Sequence, residues 1–141
     1  MVELLKSLEA IQDLLQQIYS ITANQTTILL EQGKSLEEEE EALSMLEKMV
    51  DYKEELIGLV EKQELDFENL YAQYKSQITN ADDIKLFKHH VANILTKKKE
   101  IKEAEQANVA IMQGRAHRRN KQVELPKNAQ QVVQAYQRMK K

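Results

Sequence analysis

The feature that most constrains this chain is a heptad seam that runs from Ser35 to Ile78 without a proline. Apolar residues fall at Leu43, Leu46, Val50, Ile57, Val60, Phe67, Tyr71, Tyr74 and Ile78, with Lys53 and Glu64 filling the two remaining seam places. Alternating steps of three and four keep one edge of an α-helix turned toward a partner. Ala42, Met49, Leu56 and Leu70 flank the seam and widen it into a stripe, so this helix expects more than one neighbour. As one helix it would be about 65 Å long, too long for a single compact core.

Composition points the same way. One proline and three glycines in 141 residues leave few places to break a helix. With 42% hydrophobic and 30% charged residues, the chain suits one folded, soluble helical domain. The absence of cysteine excludes disulfides and thiolate chemistry and fits a reducing compartment. Glu3, Lys6, Glu9 and Asp13 interrupt the N-terminal apolar pattern, so neither a signal peptide nor a membrane span is expected there, and the expected location is cytoplasmic. Charge is uneven. From Gly114 onward there are eight Lys/Arg against one acid, Glu124, whereas residues 1–113 carry a net −10.

A first helix is expected over about Val2 to Gln32, with a seam of Leu4, Leu8, Ile11, Leu15 and Ile18 and with Leu14, Ile21 and Ile28 alongside. Its end thins into Thr22-Ala-Asn-Gln-Thr-Thr27, small and β-branched polar residues of low helix propensity. Gly33 suits a left-handed helix stop, and Ser35-Leu-Glu-Glu38 reads as a capping box. The run Glu37 to Glu41 lies at the positive end of the helix dipole, a solvated first turn rather than a metal site.

Thr79-Asn-Ala-Asp-Asp83 marks the second break, with Asn80 or Asp82 as cap, and so short a link forces an antiparallel hairpin. The third helix carries Ile84, Phe87, Val91, Ile94, Ile101 and Met112, with Lys98, Glu105 and Asn108 in the intervening seam places. Folding the hairpin so that Ile78 faces Ile84 sets Glu64 opposite Lys98 and Lys53 within a turn of Glu105 and Asn108. Such pairs specify register more than they add stability. Gly114 to Gln122 has no apolar periodicity and reads as a frayed helix end or linker. After Pro126, Asn128 can cap a short last helix with Ala129, Val132, Val133, Tyr136 and Met139 on one face. About a dozen residues are marginal as an isolated helix, so this one must dock on something.

The expected fold is therefore all-α: an elongated antiparallel bundle of three long helices in coiled-coil-like packing over 1–113. A basic linker over 114–127 and a C-terminal amphipathic helix over 128–141 would follow.

No motif for catalysis or cofactor binding is present. There is no phosphate-cradling glycine loop, no nucleophile elbow and no H-E-x-x-H. His89 and His90 are adjacent, hence about 100° apart around a helix, and do not converge on one metal. No Glu-x-x-His occurs. The expectation is a protein that is not an enzyme, with no cofactor and no metal. The basic run Arg115 to Lys121 lacks interleaved aromatics and sits beside an acidic body, so no nucleic-acid partner is expected. The apolar face of the last helix is small for a membrane anchor, and no stable insertion is expected.

The stretch Glu41-Ala-Leu-Ser-Met-Leu-Glu-Lys-Met-Val-Asp-Tyr-Lys-Glu-Glu-Leu-Ile57, followed by Leu59-Val-Glu-Lys-Gln-Glu-Leu-Asp-Phe67, resembles the central helix of bacterial flagellar export chaperones of the FlgN type. The chain is also similar to them in size, in lacking cysteine and in ending a long helical body with an amphipathic segment. The resemblance covers mainly residues 1–112. It implies a cytosolic chaperone of flagellar type III secretion that holds hook–filament junction proteins, or by a sister type the filament cap, before export. It further implies contacts to client or export apparatus on the C-terminal segment, here Val132, Val133, Tyr136 and Met139. The clients would be proteins with amphipathic terminal helices. The alternative is a non-enzymatic coiled-coil scaffold that forms a homodimer or bridges partners.

Overall fold

The computed structural model describes residues 2–31 and 35–118, with side chains to residue 114. Every element among them is helical: α1 Val2–Leu30, α2 Leu36–Tyr74, a 3-10 turn Lys75–Gln77, and α3 Ala81–Arg118. Gly33, the residues of the expected linker beyond Arg118, Pro126, Asn128 and the expected C-terminal helix lie outside the described residues.

The helix boundaries follow from local chemistry. Ser35 Oγ accepts the Glu38 amide at 3.2 Å, satisfying one of the free N–H groups that open α2. The return contact is to the hydroxyl: Ser35 Oγ also donates to Glu38 Oε1 at 3.2 Å. A capping box would send Glu38 to the backbone N–H instead. At the other end α2 stops at Tyr74, four residues before Ile78, because the chain tightens there into a 3-10 turn. The Ile78 amide then donates to the Lys75 carbonyl at 3.3 Å, using up one of the carbonyls an α-helix end leaves free. Asn80 then starts α3, its Oδ1 accepting the Asp82 amide at 2.8 Å and the Asp83 amide at 3.4 Å. α3 continues through Gly114 to Arg118, four residues beyond the place where the sequence pattern begins the linker. A single glycine costs a helix only about 1 kcal/mol, and good helix formers surround this one.

Helix directions can be read from the contacts. Lys53 meets Glu105, whereas Glu64, further along α2, meets Lys98, earlier in α3, so α2 and α3 run in opposite senses. Gln12 lies against His90 and Thr22 against Glu105, so α1 runs with α3. The three helices pack against one another around Leu8, Ile11, Leu15 and Ile18 of α1, Val50, Leu56, Ile57 and Val60 of α2, and Ile94 and Ile101 of α3. Each such side chain, fully buried, contributes about 1.5–3 kcal/mol. Near the turn between α2 and α3 the apolar contact becomes aromatic. Phe67, Tyr71 and Phe87 stack with centroids 5.5–6.1 Å apart. No helix among the described residues is long and apolar enough to cross a membrane.

Candidate functional site

Two features stand out against this core: a buried polar layer across all three helices, and an apolar stripe on α2 that the other helices leave exposed.

The layer is centred on Lys53, whose side chain is fully buried. Its Nζ donates to Glu105 Oε1 and to Gln25 Oε1 and lies 3.4 Å from Thr22 Oγ1. Thr22 Oγ1 is 2.8 Å from the Ile18 carbonyl and 3.0 Å from Glu105 Oε1. Asn108 Nδ2 donates to the Thr22 carbonyl at 3.2 Å, and Asn108 Oδ1 accepts from Thr26 Oγ1. Burial pushes the Lys53 amine below its usual range, opposed by the charge of Glu105 and its hydrogen bond. A second pair lies nearer the surface, with Lys98 Nζ 2.8 Å from Glu64 Oε1 and both side chains partly exposed.

Sequence reasoning singled out Lys53, Glu64, Lys98 and Glu105 and also set Asn108 near Lys53. Asn108, three residues on from Glu105, makes its hydrogen bonds to Thr22 and Thr26 of α1. The sequence pattern marks Thr22 and Gln25 only as part of a weak helix stretch, yet both are buried. A signal was present: Ile18, Thr22, Gln25 and Leu29 continue the α1 seam in steps of four, three and four.

The second feature is on the outside. Met45, Tyr52 and Leu59 recur every seven residues along α2 and are 53%, 49% and 48% exposed. Met49, half-buried, and Leu56, buried, lie between them, so the five residues form a second heptad stripe beside the core seam. Single exposed apolar residues are ordinary on a protein surface; a row of them at helical spacing is the pattern that receives another helix. Ahead of the stripe, Leu36 and Leu43 are also exposed, 80% and 47%.

A polar groove between α1 and α3 is lined by Gln12, Asp13, Gln16, Asn93, Thr96, Lys97 and Glu100. Lys97 Nζ is 3.0 Å from Glu100 and 4.6 Å above the Tyr19 ring. Among the described residues no group of three or more His, Asp or Glu could hold a metal ion. Val132, Val133, Tyr136 and Met139 lie outside the described residues.

The fold and its stripe define a three-helix bundle with an exposed helical apolar face. No family model, curated protein or solved structure matches the chain.

Proposed function

We propose that the protein binds amphipathic helices of other proteins. In particular, we read it as a cytosolic chaperone of flagellar type III secretion that holds late export substrates, the hook–filament junction or cap proteins, until delivery. The observation that carries the binding reading is the exposed stripe Met45–Tyr52–Leu59 on a helix whose inner seam is already filled. The flagellar assignment rests on the resemblance of residues 41–67 to the FlgN-type central helix. In this reading the bundle packs in coiled-coil fashion and the segment 128–141 forms an amphipathic helix. Its face, Val132, Val133, Tyr136 and Met139, closes over a client helix laid against α2, and the export apparatus is a further partner. Export substrates bury their terminal helices only after assembly, so before export those helices expose apolar faces that a bundle of this kind can cover.

Titration calorimetry against the terminal segments of junction and cap proteins tests the reading. Wild-type protein is expected to bind at least one of them, and Val133→Asp with Tyr136→Ala to weaken that binding by roughly a hundredfold or more. No heat at tens of micromolar with any segment would remove the chaperone assignment. The stripe's heptad spacing also suits a second copy of the chain. A scaffold dimer would then appear as a concentration-dependent mass in sedimentation, broken by Tyr52→Asp.

A further inference from the structure

We infer that a second copy of the chain covers the stripe on α2 when no client helix is bound, its own α2 laid antiparallel, so that self-association and client binding compete for one face. The competition rests on the reading of the stripe as a helix-receiving face. The pairing of the two copies is argued from charge and spacing alone.

Beside the stripe, on the side turned away from the core, runs a column of exposed charged residues, Glu41, Lys48, Glu55 and Lys62. They stand seven residues apart and alternate in sign. α2 has three lysines, and Lys53 is buried, so both of its exposed lysines lie in this one column. None of the four residues is ion-paired to another described residue. On a helix whose remaining exposed charges are all acidic, such alternation is what a self-complementary edge requires.

The column falls at coiled-coil position g when Met49 and Leu56 take position a and Met45, Tyr52 and Leu59 take position d. In an antiparallel pair the g columns of the two helices run side by side. One register sets Ala42, Met45 and Met49 level with Leu59, Leu56 and Tyr52 of the second copy, and the two-fold axis repeats each match. In that register Lys48 lies beside Glu55 of the second copy and Lys62 beside its Glu41, and the symmetry mates do the same. Every pair is then opposite in sign. A shift of one heptad either way brings Glu55 beside Glu55 or Lys48 beside Lys48, so charge selects a single register. A parallel pair would turn the column toward Leu46, Lys53 and Val60, which are buried within their own bundle.

α1 shapes the same face. Leu14, Ile21 and Ile28 are half-buried and recur every seven residues, and the last two flank Gln25, which meets Lys53 of α2. They wall one side of the stripe, so the docked helix lies in a groove between α1 and α2. Exposed charge pairs of this kind set orientation and partner choice more than affinity. The contact is accordingly one that a client helix of greater apolar area can replace.

Sedimentation equilibrium of the full-length chain tests this. The wild type should pass from monomer to dimer below about 100 μM. Lys48→Glu alone, or Glu55→Lys alone, makes the central pairs like-signed and should weaken the dimer by about tenfold or more. An equal mixture of the two variants restores opposite signs at both positions and should dimerise as the wild type does. Positions 48 and 55 are about 10 Å apart along one helix, so this recovery reports contact between chains. A wild type that stays monomeric at that concentration would overturn the inference. So would a dimer indifferent to both reversals, or a mixture no tighter than the variants alone. Any of these leaves the client reading to calorimetry, whereas a dimer that binds no terminal segment removes the client reading and leaves the pairing. A terminal segment that binds should convert the dimer to a one-to-one complex, and a dimer that persists with the segment bound would overturn the competition.

Discussion

Lys53 of α2 and Glu105 of α3 form an ion pair inside the bundle, their side chains 0% and 7% exposed, and α1 encloses it with Thr22 and Gln25. Removing one partner leaves the other as an uncompensated buried charge. Glu105→Ala or Lys53→Ala should therefore cost about 3–5 kcal/mol, whereas Lys53→Met with Glu105→Met should recover much of either loss. Glu64 and Lys98 are partly exposed, and a charge reversal at either should cost only about 0.2–1 kcal/mol. Urea denaturation of each double-mutant cycle measures the coupling. Additive losses would mean the paired residues do not interact in solution.

The Lys53 amine gives a sign to the alkaline pH dependence. Its folded pKa lies below the unfolded value of 10.5, mainly through burial. Between the two values the unfolded chain binds more protons, so this group's contribution to stability rises as pH climbs through its folded pKa, then levels off above about 10.5. Compared with Lys53→Met, the wild-type protein should therefore gain relative stability as pH is raised toward that value. A relative loss over the same range would mean the pair with Glu105 outweighs burial.

Gly58 offers a stabilising change. It lies inside α2, and a Cβ added there would meet nothing within 4 Å. Gly58→Ala should raise stability by about 0.5–1 kcal/mol through helix propensity alone, visible as a higher melting temperature. A drop would show that the position is more crowded than the helix surface indicates.

The body should fold without the tail. Among the described residues, the thirteen buried apolar residues of the core run from Leu4 to Ile101, and they join all three helices. Truncation after Arg118 should leave helical content and a single cooperative melt by circular dichroism, with at most a modest loss in midpoint. A molten or aggregated product would mean that residues 119–141 belong to the core.

What the sequence made legible depended on which residues carried the pattern. Leu4, Leu8, Ile11, Leu15 and Ile18 announce α1 because apolar side chains recur at the helical period, and all five are buried. Ser35 and Asn80 mark helix starts because short polar side chains can hold free amides. Lys53 and Glu105 could be set close together because each interrupts a seam, at distances from the hairpin turn that agree to within one helical turn. The part of Thr22 and Gln25 was hidden, since a polar residue of low helix propensity looks the same in a frayed end and in a buried layer. Leu43 and Tyr71 stand in the expected seam yet are 47% and 40% exposed. Periodicity tells which face is apolar, but the neighbour's length and position decide how much of that face is covered. α1 ends at Leu30, and the first buried residue of α2 is Leu46.

Reception of a partner's helix is the role proposed for the stripe on α2. It is tested most directly by titrating the junction and cap terminal helices into wild-type protein and into Met45→Asp/Tyr52→Asp/Leu59→Asp. These positions are about half exposed, so the variant should keep its helical content. Binding at tens of micromolar or tighter is expected for the wild type, with a loss of roughly a hundredfold or more in the variant. A variant that binds as tightly as the wild type, its fold intact, would contradict the account.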